Sequence, residues 1–260
     1  MDASMWVAKT GLDAQQTRMS VISNNLANVN TTGFKRDRAT FEDLLYQTVR
    51  RAGGQTTANT QAPTGLMLGT GTRILSTEKI HAQGNLIQTQ NALDLAINGE
   101  GFFQILQPDG TLAYTRDGSF NMTANGEVVT SMGLLLQPAL VIPGNASSVT
   151  VGNDGTVSVS LFGGGEQAIG NIQVARFVNA AGLEPIGQNL FEETAGSGVP
   201  VLLQPGIDAA GQLMQGALEA SNVNVVEEMV NMIETQRAYE VNSKAISSVD
   251  GMLRFINNNL

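Results

Sequence analysis

The chain has 260 residues, a formal net charge of −9, only 14% charged residues and no cysteine. Such acidity argues against a nucleic-acid partner. The lack of cysteine excludes a disulfide framework, a thiol nucleophile and a Cys-based zinc site. The acid is concentrated in the middle: residues 52–222 hold four Lys/Arg against thirteen Asp/Glu, while residues 1–51 hold seven against five and residues 223–260 three against five.

The N-terminus, MDASMWVAKTGLDAQQ, has neither a basic nor an apolar leader region, so no cleavable secretory signal is expected. No apolar run approaches the ~18 residues of a membrane span. Met5, Ala8, Leu12, Gln15, Met19, Ile22, Leu26 and Val29 alternate at three- and four-residue spacing. That seam predicts a helix from residue 4 to about 30, with Ser4 as N-cap and Gly33 as its stop. Gly11 inside it costs ~1 kcal/mol against Ala, and either admits a close neighbour or is a tolerated defect. The other face is unusual, because Asn24, Asn25, Asn28 and Asn30 lie in a stretch with no charge between Arg18 and Lys35. Wet helix faces normally carry charge. Amides suit contacts with neighbouring backbones, which need no ion desolvation. The expectation is a helix surrounded by copies of itself. Trp6 is read as a packing residue in preference to a membrane anchor.

Residues 34–50 hold Phe34, Phe41, Leu44, Leu45 and Tyr46 among charges, which predicts an extended start and then a short helix or irregular arm. Residues 51–72, rich in Gly, Thr and Gln, predict a loop or linker. Residues 73–215 are β in character. Asp109-Gly110, Asp117-Gly118, Asn125-Gly126 and Asp154-Gly155 punctuate short apolar runs, the pattern of antiparallel hairpins in a sandwich or barrel-like fold. Gly163–Gly165 predicts a hairpin tip. From residue 222 the pattern returns to helix, with Asn224 as cap and Glu227 and Glu228 in the first turn. Its stripe is Val226, Val230, Ile233, Val241, Ala245, Val249, Met252, Ile256 and Leu260, widened by Met229, Tyr239, Ile246 and Leu253. Arg237 interrupts it beside Glu234 and Glu240, and an intrahelical or an intermolecular ion pair both fit.

The expected fold class is α+β. Long N- and C-terminal helices pair as a coiled coil, with a central antiparallel all-β domain and an extended arm. The expected divisions are 1–33 and 222–260 for the assembly helices, 34–72 for the arm and 73–221 for the β-domain. Two such wide apolar faces exceed what one β-domain covers, so the surplus must meet other chains.

Catalytic chemistry finds little support. His81 is the sole histidine, read as an exposed or satisfied imidazole. No Gly-x-Ser-x-Gly elbow accompanies it. Gly69–Gly71 and Gly99–Gly101 do not extend to a dinucleotide motif. Asp109, Asp117 and Asp154 are turn residues and poor hydrolytic carboxylates. The expectation is no enzyme, no metal and no cofactor.

Three segments carry a resemblance. ISNNLANVNTTGFK (22–35), INGEGFFQILQPDGTLAYTRDGSFNMTANGEVVT (97–130) and EEMVNMIETQRAYEVNSKAISSVDGMLRFIN (227–257) resemble the motifs of the bacterial flagellar rod and hook family. FEDLLYQTVR (41–50), followed by a Gly/Thr-rich stretch, is most similar to the distal-rod branch. The large outer domain expected of a hook protein is missing. The resemblance implies an axial structural protein of the basal body, exported unfolded through the flagellar type III channel without a cleaved signal. It implies a hollow helical tube crossing the periplasm to the outer membrane. Implied partners are the chain itself, proximal rod and hook proteins, a rod cap, and peptidoglycan and outer-membrane bushing rings. The expected assembly residues are Met5, Leu12, Met19, Ile22, Asn24, Asn25, Leu26, Asn28, Val29, Gly33 and Phe34, with Val226, Val230, Ile233, Arg237, Tyr239, Val241, Ala245, Val249, Met252, Leu253 and Ile256. Asn257, Asn258 and Asn259 are expected to face a wet lumen, and the arm to brace adjacent subunits. Alternatives are a proximal rod or hook subunit, a secreted oligomeric β-rich adhesin, and a hydrolase of the acidic β-domain.

Overall fold

The structure is a computed structural model that describes residues 3–53, 55–57, 60–61, 63–207 and 210–258. The chain divides into two compact units. One comprises Met1–Leu26, Asp37–Glu78 and Val225–Leu260; the other comprises Ala27–Arg36 and Lys79–Asn224.

The first unit holds both long helices, α1 (Ala3–Ala27) and α2 (Val225–Asn258). At 1.5 Å per residue they run about 37 and 51 Å. Asn224 immediately precedes α2, and Glu227 and Glu228 occupy its first turn, where they oppose the positive helix end. Helix α1 departs from expectation at both ends. Ser4 lies inside its first turn, so it is no cap. The helix stops at Ala27, and Val29 sits in a following turn where Thr31 N–H donates to Asn28 O at 3.2 Å. The side chain of Asn28 adds a second bond to this turn, accepting from the Thr31 hydroxyl at 3.2 Å, the local habit that makes Asn a poor helix continuer.

The two helices touch at matched positions. An added Cβ on Gly11 would lie 3.1 Å from Asn242 Nδ2, so this glycine admits a close neighbour. The Asn25 amide donates to Glu228 Oε1 at 3.4 Å. The contacts are fourteen residues apart on each helix and run in opposite directions. The helices are therefore antiparallel there, in a register that spans two heptads.

In residues 34–72, where an extended start, then a short helix or irregular arm, and then a loop or linker were expected, most described residues lie in strands. Asp37–Asp43 pairs with Thr72–Lys79, and Tyr46–Arg50 pairs antiparallel with Leu66–Gly69 through Tyr46↔Gly69, Gln47↔Leu68 and Thr48↔Met67. Short strands Gln55–Thr57 and Thr60–Gln61 pair beyond them. The result is one long two-stranded ribbon. Arg38–Glu78 and Arg73–Glu42 ion pairs cross it, as do bonds from Thr40 to Ser76. Thr40, Tyr46, Thr48 and Val49 favour extended backbone; the adjacent Leu44 and Leu45 beside acids only mimic a helical turn. Residues 73–79, assigned to the middle by the sequence pattern, belong to this ribbon.

The second unit is antiparallel β. A seven-stranded sheet runs in the order Phe120–Met122, Val128–Thr130, Leu135–Gln137, Phe103–Leu106, Leu112–Thr115, Leu190–Glu192, Glu184–Gly187. A three-stranded sheet holds Ala146–Val151, Thr156–Leu161 and Glu166–Asn171, with Gly163–Gly165 in the turn between the last two. Pairs formed by Leu95–Asn98 with Gln212–Gln215 and by Leu86–Gln88 with Ala217–Glu219 bring the late chain back to the early one. Alternation works as strands require: Val157 and Val159 enter the core while Ser158 between them does not. Leu95, Ile97, Phe103, Ile105, Phe120, Leu136, Ile172 and Leu213 complete one apolar cluster.

Candidate functional site

Helix α2 is turned the opposite way from an ordinary surface helix. Its inward row contains Glu228, Thr235 and Asn242; Glu228 is 4% and Thr235 0% exposed. Thr235 is satisfied by its own helix, donating to Asn231 O at 2.7 Å. Most of the predicted apolar stripe faces out, whereas Ile246 and Val249 within it are half-buried. Val226 is 70% exposed, Val241 65%, Met252 57%, Val230 51% and Ile233 50%, with Met229, Tyr239 and Phe255 also exposed. Ala245 is exposed and Val249 half-buried. Arg237 stands exposed in the same stripe and forms no ion pair among the described residues, so the intrahelical pair with Glu234 or Glu240 is not made. The side chains of Leu253, Ile256, Asn257 and Asn258, and residues Asn259 and Leu260, lie outside the described residues.

Helix α1 is divided differently. Ile22 and Ala14 are buried, and Met5, Leu12, Met19 and Leu26 half-buried. Trp6 and Val7 are exposed. The amides expected on an outer face are partly consumed within the chain. Asn25 is 1% exposed. It donates to Asp37 O at 2.9 Å and accepts from Asp37 N–H at 2.8 Å. Asn24 stays exposed, yet its amide donates to Asp37 Oδ2 at 3.3 Å. These residues clamp the root of the ribbon to the helix. A run of Asn in a helix therefore signalled a return of the chain as much as an external contact.

The ribbon carries apolar side chains that the described residues leave uncovered. Leu45 is 89% exposed, and Tyr46, Val49, Leu66, Met67, Leu68 and Leu75 are exposed too. An isolated two-stranded ribbon is marginal in water, and apolar exposure on this scale marks a contact surface.

In the β unit, the segment Gly33–Lys35 is anchored by charge. Gly33 (φ +69°) donates its N–H to Glu219 O at 2.8 Å, and a Cβ there would strike Asp117 N at 2.7 Å. Its glycine serves this approach, away from the end of α1. Phe34 is buried under the Lys79 ammonium, 5.0 Å from the ring centre. Lys35 is fully buried and meets Glu219 Oε1 at 2.5 Å and Ala82 O at 2.9 Å. Glu219 Oε1 also accepts Gly84 N–H at 2.8 Å, and Arg116 Nε lies 3.4 Å from Glu219 Oε2. Burial lowers the Lys35 pKa while Glu219 opposes that shift. Lys35 and Glu219 are 184 residues apart, so no local pattern announced the pair.

His81 borders this cluster. Its ring packs edge-on against Phe102 and Phe191 at 5.5 Å each. Burial, followed by the charges of Lys35, Arg116 and Lys79, pulls its pKa down to about 4. Its Nδ1 is enclosed without a hydrogen-bond partner, so it is neither exposed nor fully satisfied. Asp109, Asp117 and Asp154 accept bonds from Thr111, Ser119 and Thr156 within their turns. Among the described residues no three His, Cys, Asp or Glu side chains are grouped to hold a metal. No described helix is long and apolar enough to cross a membrane.

Known proteins match all three regions. Residues 5–35 match the family described as flagella basal body rod protein, residues 96–159 the flagellar hook protein FlgE/F/G D1 domain, and residues 214–259 the flagellar basal body rod FlgEFG protein C-terminal. The chain is 55% identical over 255 residues to the flagellar basal-body rod protein FlgG of Buchnera aphidicola subsp. Schizaphis graminum, covering 98% of each chain. It is 50% identical to FlgG of Borreliella burgdorferi, covering 99% of this chain and 98% of that one. Against FlgG of Caulobacter vibrioides it is 49% identical, with 95% of each chain covered.

Proposed function

The chain belongs to the flagellar basal-body rod family, and from that premise we propose that it is the structural subunit of the distal rod, a hollow helical tube carrying torque from motor to hook and conducting exported subunits. It is a structural protein of the basal body and not an enzyme. The observation that carries the proposal is the outward apolar stripe of α2, with Val226, Val230, Ile233 and Val241 at least half exposed. Covering each such side chain is worth ~1.5–3 kcal/mol. A patch that meets a different patch on the next copy, through a rotation that does not close, generates an open helical filament.

Under this reading the two matched helix contacts extend into a continuous antiparallel coiled coil, and its outer surface becomes the tube's inner layer. The ribbon braces adjacent subunits. The tube crosses the periplasm and meets the proximal rod, the hook, the rod cap and the two bushing rings. Ile233→Asp tests the reading, because the side chain is exposed and its loss leaves the chain's own packing intact. The expected outcome is a normally folded chain that forms no tubes by electron microscopy and supports no motility. Tubes of normal yield from this variant would overturn the proposal.

A further inference from the structure

Two short series of charges on the long helices make no ion pair among the described residues. Along α2 the order is Glu234, Arg237, Glu240; along α1, read backwards, it is Arg18, Asp13, Lys9. Arg18 is half-buried and the others are exposed. One series is acid, base, acid, and the other base, acid, base. We propose that the outward stripe of α2 is covered by the outer face of α1 from a second copy, laid antiparallel, with Arg237 paired to Asp13 of that copy.

The inference rests on the self-assembly proposed above and adds what meets the stripe. At about 100° per residue, Val226, Val230, Ile233 and Arg237 fall within ~60° of one another on α2, and Trp6, Asp13 and Ser20 within ~40° on α1. Both lines are exposed. A guanidinium set in an apolar stripe is costly to cover unless the covering surface brings an opposite charge, and its planar fork selects a carboxylate. A second α2 is the poorer cover, because it brings apolar residues and another guanidinium to the same line. Copies in an open tube share one direction along its axis. A neighbour's α1 lying beside α2 therefore runs opposite to it, as α1 does within the chain. With Arg237 opposite Asp13, this direction sets Val230 opposite Ser20 and brings Glu240 within one residue of Lys9.

Charge exchange in the full-length chain tests the pairing. Arg237→Glu and Asp13→Arg, both at exposed positions, should leave the helical circular-dichroism signal of the free chain unchanged. Each should raise the concentration needed for tubes at least ~tenfold. Joined in one chain, they should return it to within ~threefold of the parent value. The chain has no cysteine, so Ser20→Cys together with Val230→Cys reports the register. Oxidised tubes of that chain should give a ladder of linked copies, because the two positions come within disulfide reach. Val230→Cys alone should give no dimer. Dimers from that single variant would show α2 facing α2 and overturn the pairing. So would tubes at the parent concentration from both charge variants, an exchange that restores nothing, or oxidised tubes without a ladder. In each of these cases the parent chain still forms tubes and the self-assembly reading stands; a parent chain that forms none overturns both.

Discussion

At the scale of single residues, the buried ion pair and the lone imidazole make opposite demands on stability. Removing one partner of a buried pair leaves the other uncompensated, at a cost of ~3–5 kcal/mol. Lys35→Met should therefore lower the midpoint of chemical denaturation of the β unit, because enclosed Glu219 loses its 2.5 Å partner and keeps Arg116 at 3.4 Å. His81 sets a pH dependence. Its folded pKa of about 4 lies below the ordinary 6.5, so the unfolded chain takes up the proton first as pH falls. Its contribution is complete above pH 6.5 and is lost as pH drops towards 4, by up to ~3 kcal/mol. Comparing denaturation of the parent chain and His81→Leu at pH 7 and pH 4.5 isolates this loss; the variant should lose less stability over the same interval. Neither feature was visible in the sequence, because Lys35, His81, Arg116 and Glu219 come from four separate segments and a pattern of spacing reports only neighbours in the chain.

At the scale of elements, three- and four-residue spacing revealed both helices, and Asn224 with the acids that follow it marked where α2 starts. Spacing did not reveal which side of α2 turns inward. Hydrophobic periodicity marks the side that must eventually be covered, and in α2 the described residues leave most of it uncovered. The polar inward row fixes the pairing of the helices instead. Glu228 with Asn25, and Asn242 against Gly11, leave little freedom for a one-turn slip. Gly11→Val should destabilise the helix pair by ~1–3 kcal/mol through overpacking, seen as a lower melting midpoint for the helical circular-dichroism signal. The ribbon was missed because its partners, such as Gln47 and Leu68, are about twenty residues apart through a polar stretch with no alternation. Its exposed leucines nevertheless stand where the sequence placed an arm.

For the whole molecule, the β unit carries its own apolar core while the helical unit leaves much of its apolar surface uncovered. Amide exchange should report that division. In the free chain the strands around Phe103 and Leu136 should exchange slowly and α2 quickly, whereas the tube should protect both. Equal protection of α2 in the free chain and the tube would contradict it. The outward stripe on α2 also bears on kinetics. A first pair of copies covers only part of each stripe, while a copy joining a finished end covers more, so growth should show a lag, a threshold concentration and rescue by added seeds. Where a shaft begins is then set by the template that offers the first complete end, and the amount of subunit made decides only how far it extends.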